Sequence, residues 1–221
     1  MTPPPPLRGT AICIALGLVV CAVVTVLSVG WIDRPVAIFV HARLPPQPGT
    51  LEQMLQGMTR IPEILGALSV LLVVGLGMFW LMHGALSGLM RTGFLASLSV
   101  IVAEAIKTAL KLAFGRTWPE TWVNDNPSFI RDGVYGFFPF HGGAGWGAFP
   151  SGHTTAVCAA MTVLWLRWPF WRGLYALAIA ATGFGLLGMD YHFLADILAG
   201  GYLGWAVGLA TVRIGAGWPK P

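Results

Sequence analysis

The sequence predicts an all-α integral membrane protein: a bundle of six transmembrane helices with a long aromatic-rich loop between the third and the fourth. Three observations carry that expectation. Hydrophobic residues make up 56% of the 221-residue chain and charged residues only 10%, more apolar surface than a soluble domain of this size needs. Mean hydropathy is +0.72. Six apolar stretches are long enough, or in one case nearly long enough, to cross a hydrocarbon core about 30 Å thick.

Taken in order, residues 1–10 carry four consecutive prolines and are expected to form a disordered lead-in. Residues 11–29 hold no charge and form the first span. They are too long for a signal-peptide core, and Val19 and Val20 do not suit a lipoprotein cleavage site before Cys21. Residues 30–60 read as a mixed polar connection with prolines at 35, 45, 46 and 48. Within it Leu51, Met54, Leu55 and Met58 have helical spacing suited to lying along the interface. Residues 64–82 are the second span and 92–114 the third. The third contains Glu104, Lys107 and Lys111, which steps of three and four place on one face. Charges in a span are costly, so that face should meet the bundle interior or a polar cavity.

Residues 115–150 form the long loop, rich in glycine, proline and aromatics. Its length points to function, its aromatics argue against disorder, and they also suit anchoring at the membrane interface. Residues 152–166, 174–189 and 194–212 complete the six spans, making one membrane domain over 11–214 and a tail over 215–221.

The formal net charge of +4 comes from scattered basic residues that form no stripe, which excludes a nucleic-acid partner. Cys13, Cys21 and Cys158 lie in apolar runs without metal-ligand spacing and read as small hydrophobes. With six spans, the end of span three, the start of span four and the turn between spans five and six share one membrane face. A slight excess of Arg and Lys in the other short loops places that face outside, in the periplasm of a bacterial inner membrane or its equivalent.

That face carries the residues with chemistry. Phe149–Thr155 reads Phe-Pro-Ser-Gly-His-Thr-Thr, a helix start in which Ser151 can cap and Gly152 leaves room. The free amides of a first turn suit a phosphate; a capped helix with an idle His153 has the same sequence. His192 and Asp196 are four apart and share a helix face. The carboxylate would fix the imidazole tautomer and free the other nitrogen to attack, although an interfacial pair that tunes packing also fits. His153 would then act as general acid. Lys111, Arg116 and the amides at Ser151 and Gly152 would hold the phosphoryl group, with Lys107, Glu104 and Asp190 in support.

These motifs resemble the type 2 phosphatidic acid phosphatase superfamily. Pro150-Ser151-Gly152-His153 matches its second motif, His192 to Asp196 the end of its third, and Lys111 with Pro119 the frame of its first, over roughly residues 60–212. The resemblance implies hydrolysis of a lipid phosphate through a phosphohistidine on His192, with neither cofactor nor metal; transfer of the phosphoryl group by the same histidine, or a non-catalytic membrane protein of the same fold, fits the same residues. The resemblance also implies phosphate-binding arginines where this chain has Trp118 and Leu186. Neither side chain replaces a guanidinium fork, so Arg116 is expected to swing into the vacancy and Lys107 to help.

Overall fold

The computed structural model describes residues 7–44, 49–122 and 125–216. Among them the chain is helical, with isolated β-bridges and no strand. The helices are α1 (Leu7–Leu27), α2 (Asp33–Arg43), α3 (Thr50–His83), α4 (Gly88–Phe114), α5 (Phe129–Asp132), α6 (Gly152–Arg167), α7 (Arg172–Gly188) and α8 (Leu194–Gly215). A five-residue π turn, Ser28–Ile32, joins α1 to α2.

Five helical stretches are long and apolar enough to cross a membrane: α1 with α2, α3, α4, α7 with the short turn before it, and α8. Their outer faces leave Leu16, Leu71, Leu81 and Leu177 exposed, an apolar surface that water would not tolerate but lipid does. The protein is an integral membrane protein. The stretch expected as the fourth span is α6, whose 16 residues rise about 24 Å. It is the central helix. Ala156, Val157, Ala159 and Ala160 on α6 form the core with Val100 and Ala103 of α4, Tyr175 of α7 and Val207 of α8.

Small residues allow this. On α8, Gly204 and Gly208 lie against α6, where an added Cβ would sit 2.7 Å from the amide of Ala159 and 2.7 Å from its carbonyl, respectively. Close backbone approach through small residues is the usual way to pack helices in lipid, where apolar bulk alone gives no drive.

Three expectations change. Residues 7–10, expected in the disordered lead-in, are the first turn of α1; residues 1–6 lie outside the described residues, as do 217–221 of the tail. The polar connection over 30–60 is largely helical. Pro35 stands just after the π turn in a helix continuous with α1, where its missing N–H leaves one gap in the ladder. The interfacial stretch at 51–58 is the start of α3, which continues through Pro62 into the second span.

Between α4 and α6 the aromatics turn inward. Gly115 ends α4 with φ of +56°, and a side chain there would collide with the carbonyl of Phe138. Phe114, Phe137 and Phe149 pack edge to face with centroids 4.9–6.0 Å apart, and Tyr135 packs on Phe193 at 5.1 Å. Phe140, 76% exposed, is an exception.

Candidate active site

The turn between α7 and α8 presents His192. Asp190 takes a left-handed φ of +53°, which an aspartate tolerates better than most side chains, and the chain then re-enters α8 at Leu194. The N-cap position of α8 is Phe193, which has no side-chain acceptor. Asp196 supplies one from within the helix, accepting from the Phe193 amide at 2.9 Å. Its same oxygen lies 3.4 Å from Nδ1 of His192. Burial pushes the His192 imidazole down to about 4, against the pull of Asp196, so the ring is neutral at pH 7.

Behind this pair stands Arg116. It is fully buried, donates to the other oxygen of Asp196 at 2.5 Å, and donates to Asp33 of α2 at 2.6 Å. Asp33 also accepts from the Ala195 amide at 3.0 Å, so a carboxylate from a distant helix caps α8.

In front of His192 lies a cavity of about 350 Å³, lined by Glu63, Glu104, Lys107, Lys111, Trp118, Gly152, His153 and His192, among others. The third-span charges therefore do face one cavity. Lys107 pairs with Glu104 at 2.7 Å, and Nε2 of His153 lies 3.7 Å from Glu63. The His153 and His192 rings are 6.4 Å apart. Trp118 stacks obliquely on His192, centroids 5.0 Å apart, with the Lys111 ammonium 5.3 Å from its ring centre. The amides of Gly152 and His153 have no hydrogen-bond partner among the described residues. A Cβ on Gly152 would meet the Lys107 side chain at 3.0 Å.

His192, Asp196, His153, Lys111, Gly152, Lys107 and Glu104 thus come together as the sequence predicts. Three residues do not. Arg116 does not line the cavity; two buried carboxylates hold its guanidinium, and pulling it forward would strand both. Ser151 is also behind the cavity. Its amide donates to the carbonyl of Asp196 at 3.0 Å, its hydroxyl accepts from the Thr154 amide at 3.5 Å, and the residue is fully buried, so it shapes the turn and does not line the cavity. Asp190 pairs with His41 of α2 at 2.8 Å, away from the cavity. Burial pushes Asp190 up to about 6, with His41 acting the other way.

Asp33, Glu63 and His41 are additions that the sequence did not single out. Leu186, at the second expected arginine position, is fully buried on α7. Trp118, at the first, fills the cavity wall. Among the described residues, lysines and histidines are the only basic side chains lining this cavity, and no three His, Cys, Asp or Glu side chains converge as a metal-binding group.

Fold and cavity together define a membrane-embedded helical bundle with a histidine–aspartate pair facing a lysine-lined pocket. The chain belongs to the PAP2 superfamily, which residues 92–219 match. It is 30% identical over 108 residues to a lipid A 1-phosphatase of Rhizobium etli, covering 48% of this chain and 44% of that one. A lipid A 1-phosphatase of Rhizobium johnstonii is 27% identical over 132 residues, 55% and 51% of the two chains. The chain thus spans about half the length of the curated relatives it matches. The crystal structure of a transmembrane PAP2-type phosphatidylglycerolphosphate phosphatase from Bacillus subtilis shares the fold, with a TM-score of 0.64 and 15% identity over 94% of this chain and 98% of that one.

Proposed function

We propose that this protein is a membrane phosphatase that hydrolyses a lipid phosphate through a phosphohistidine on His192. The observation that carries the reading is the pairing of His192 with Asp196 at one wall of a cavity that also holds His153, Lys111 and the free amides of Gly152 and His153. Asp196 fixes Nδ1–H, so Nε2 attacks phosphorus as the bond to the leaving oxygen breaks. His153 gives that oxygen its proton. In the second half His153 takes a proton from water, which attacks phosphorus and releases phosphate from Nε2. Lys111 and the amides steady the equatorial oxygens. The step calls for no divalent metal, so turnover should persist in chelator.

The names of the Rhizobium relatives and of the Bacillus phosphatase favour a phosphorylated membrane lipid as substrate. An apolar cleft of about 720 Å³ between α1, α4 and α8 reaches Pro150, beside Ser151, and offers carbon-lined room for an acyl chain. In this reading α6 is the fourth of six spans, 11–214 is one catalytic domain, and the cavity opens on the outer face of a bacterial inner membrane.

The absence of an arginine from the cavity favours a second reading, a member of the fold without catalysis. Phosphate release from purified protein over a panel of lipid A-type, glycerophospholipid and prenyl phosphates separates the two. The phosphatase releases phosphate and the His192→Ala variant does not. No release from any substrate, or equal release by the variant, overturns the proposal.

A further inference from the structure

We infer that Asp33, at the start of α2 and outside the region that matches the superfamily, is a positioning residue that holds His192 and supplies negative charge behind it. The inference rests on the phosphohistidine reading above.

The carboxylate is fully buried, and its neighbours are unusually consequential. One oxygen accepts from the Ser28 hydroxyl at 3.0 Å and from the Ala195 amide at 3.0 Å. The other accepts from Arg116 at 2.6 Å. Tyr135 stands beside them; its hydroxyl donates to the carbonyl of Val29 at 2.8 Å and accepts from Arg116 at 3.0 Å. Ser28 and Val29 lie in the π turn that precedes α2. Such turns insert a residue and redirect side chains, often at functional sites. Here the turn lets Ser28 reach the carboxylate five residues on.

Both supports of His192 run through this group. Ala195 is the second residue of α8, next to Asp196, so its amide fixes the backbone that carries the orienting acid. Arg116 holds the oxygen of Asp196 that does not face His192. Asp33 therefore anchors the helix start directly and the Asp196 side chain through Arg116.

Charge makes this more than scaffolding. Two carboxylates around one guanidinium leave one negative charge over, in a dry pocket where fields are weakly screened. When Nε2 bonds phosphorus and Nδ1 keeps its proton, the imidazole gains a positive charge. The bond from phosphorus to the leaving oxygen breaks, and His153 protonates that oxygen. The surplus negative charge favours the charged ring over the neutral one, which is differential stabilisation of the transition state. Without Asp33, the positive charge of Arg116 balances Asp196 alone and the surplus is gone.

The test compares parent, Asp33→Asn, Arg116→Met and the double variant, each scored per folded, monodisperse molecule. Asp33→Asn is expected to lower kcat at least about tenfold with KM within about threefold, since the cavity in front is untouched. Arg116→Met should fall further than Asp33→Asn, and the double variant, which strands one carboxylate rather than two, should fall no further than Arg116→Met alone. A kcat within about twofold of the parent, an equal loss in KM, or multiplying effects would overturn the inference.

A second arm needs no turnover, so its outcome stands even if the parent releases no phosphate, which would count against the phosphatase reading alone. Diethyl pyrocarbonate acylates neutral imidazole, and peptide mass spectrometry locates the adduct. Asp33→Asn should slow acylation of His192 at least about threefold, whereas a merely loosened structure exposes the ring and speeds it. An unchanged or faster rate contradicts the role. If Asp33→Asn yields no folded protein, Ser28→Ala, which removes one hydrogen bond to the carboxylate, is read by the same two measurements. Its expected losses are about twofold to fivefold, and no loss overturns the inference.

Discussion

On the cavity side of His192, apart from the Lys107–Glu104 pair at 2.7 Å, the charged groups are loosely held. Lys111 lies over a tryptophan ring, His153 is 3.7 Å from its carboxylate, and the Glu63 side chain is 63% exposed. On the far side, Asp33, Arg116 and Asp196 are closed to solvent and joined at 2.5 and 2.6 Å. The first region is built to accept a ligand, because its donors are not yet spent. The second is built to keep a geometry, because every close contact there costs another if one is lost. Chemically similar side chains should therefore respond differently to substitution according to the side they occupy.

The largest effect is expected behind the ring. Arg116→Ala strands two buried carboxylates and should cost about 3–5 kcal/mol of stability, with turnover reduced to a trace. Arg116→Lys should not recover it, since one ammonium does not span two carboxylates. Thermal unfolding in detergent and phosphate release check both. A stable Arg116→Ala protein with a raised KM would return Arg116 to the phosphate and erase the distinction between the two sides.

Lys111→Ala should leave folding intact and reduce kcat/KM by about 10- to 150-fold, the loss of one charge-assisted contact of about 1.5–3 kcal/mol. Steady-state kinetics beside an unchanged unfolding midpoint would confirm that the front is separable from the scaffold. Ser151→Ala belongs to the back despite its place in the motif. It should cost about 0.5–2 kcal/mol of stability as a lost cap, with KM for the lipid phosphate unchanged.

The smallest effect is in pH dependence. The folded pKa of His192 is depressed to about 4. Its contribution to stability is therefore present above the unfolded value of about 6.5 and is lost as pH falls towards 4. Asp190 has the opposite sign. Its folded pKa is raised to about 6, so its contribution is present below the unfolded value of about 3.9 and is lost as pH rises through 6. The two offset one another between about pH 4 and 6. Asp190→Asn removes one of them, and its unfolding temperature should fall more steeply on acidification than that of the parent. A parallel pair of curves contradicts the assignment.

The front was legible in the sequence because its residues are local. Gly152 and His153 start one helix, Glu104, Lys107 and Lys111 follow helical steps, and His192 is one turn from the Asp196 that ties it to the back. The back was not, because Asp33, Arg116 and Asp196 are separated by 83 and 80 positions and meet only through the bundle. Nothing local distinguishes buried Asp33 from its neighbour Arg34. Arg116 was misread for a related reason: it lies two positions from an expected arginine, and nearness in sequence suggested nearness to phosphate. For the fold, hydropathy marked where the apolar stretches lie. It did not show that the shortest of them, α6, is the centre, since that follows from the small residues of α8 facing it.

The most direct test of the account is rapid acid-free quenching of the purified protein during turnover of a labelled lipid phosphate, with the modified peptide located by mass spectrometry. Label is predicted on His192 in the parent and, at reduced rate, in Lys111→Ala, whose nucleophile is still held from behind. It should be absent from Arg116→Ala, whose nucleophile is not. Label on His153, or continuing phosphate release by His192→Ala, would contradict the central claim.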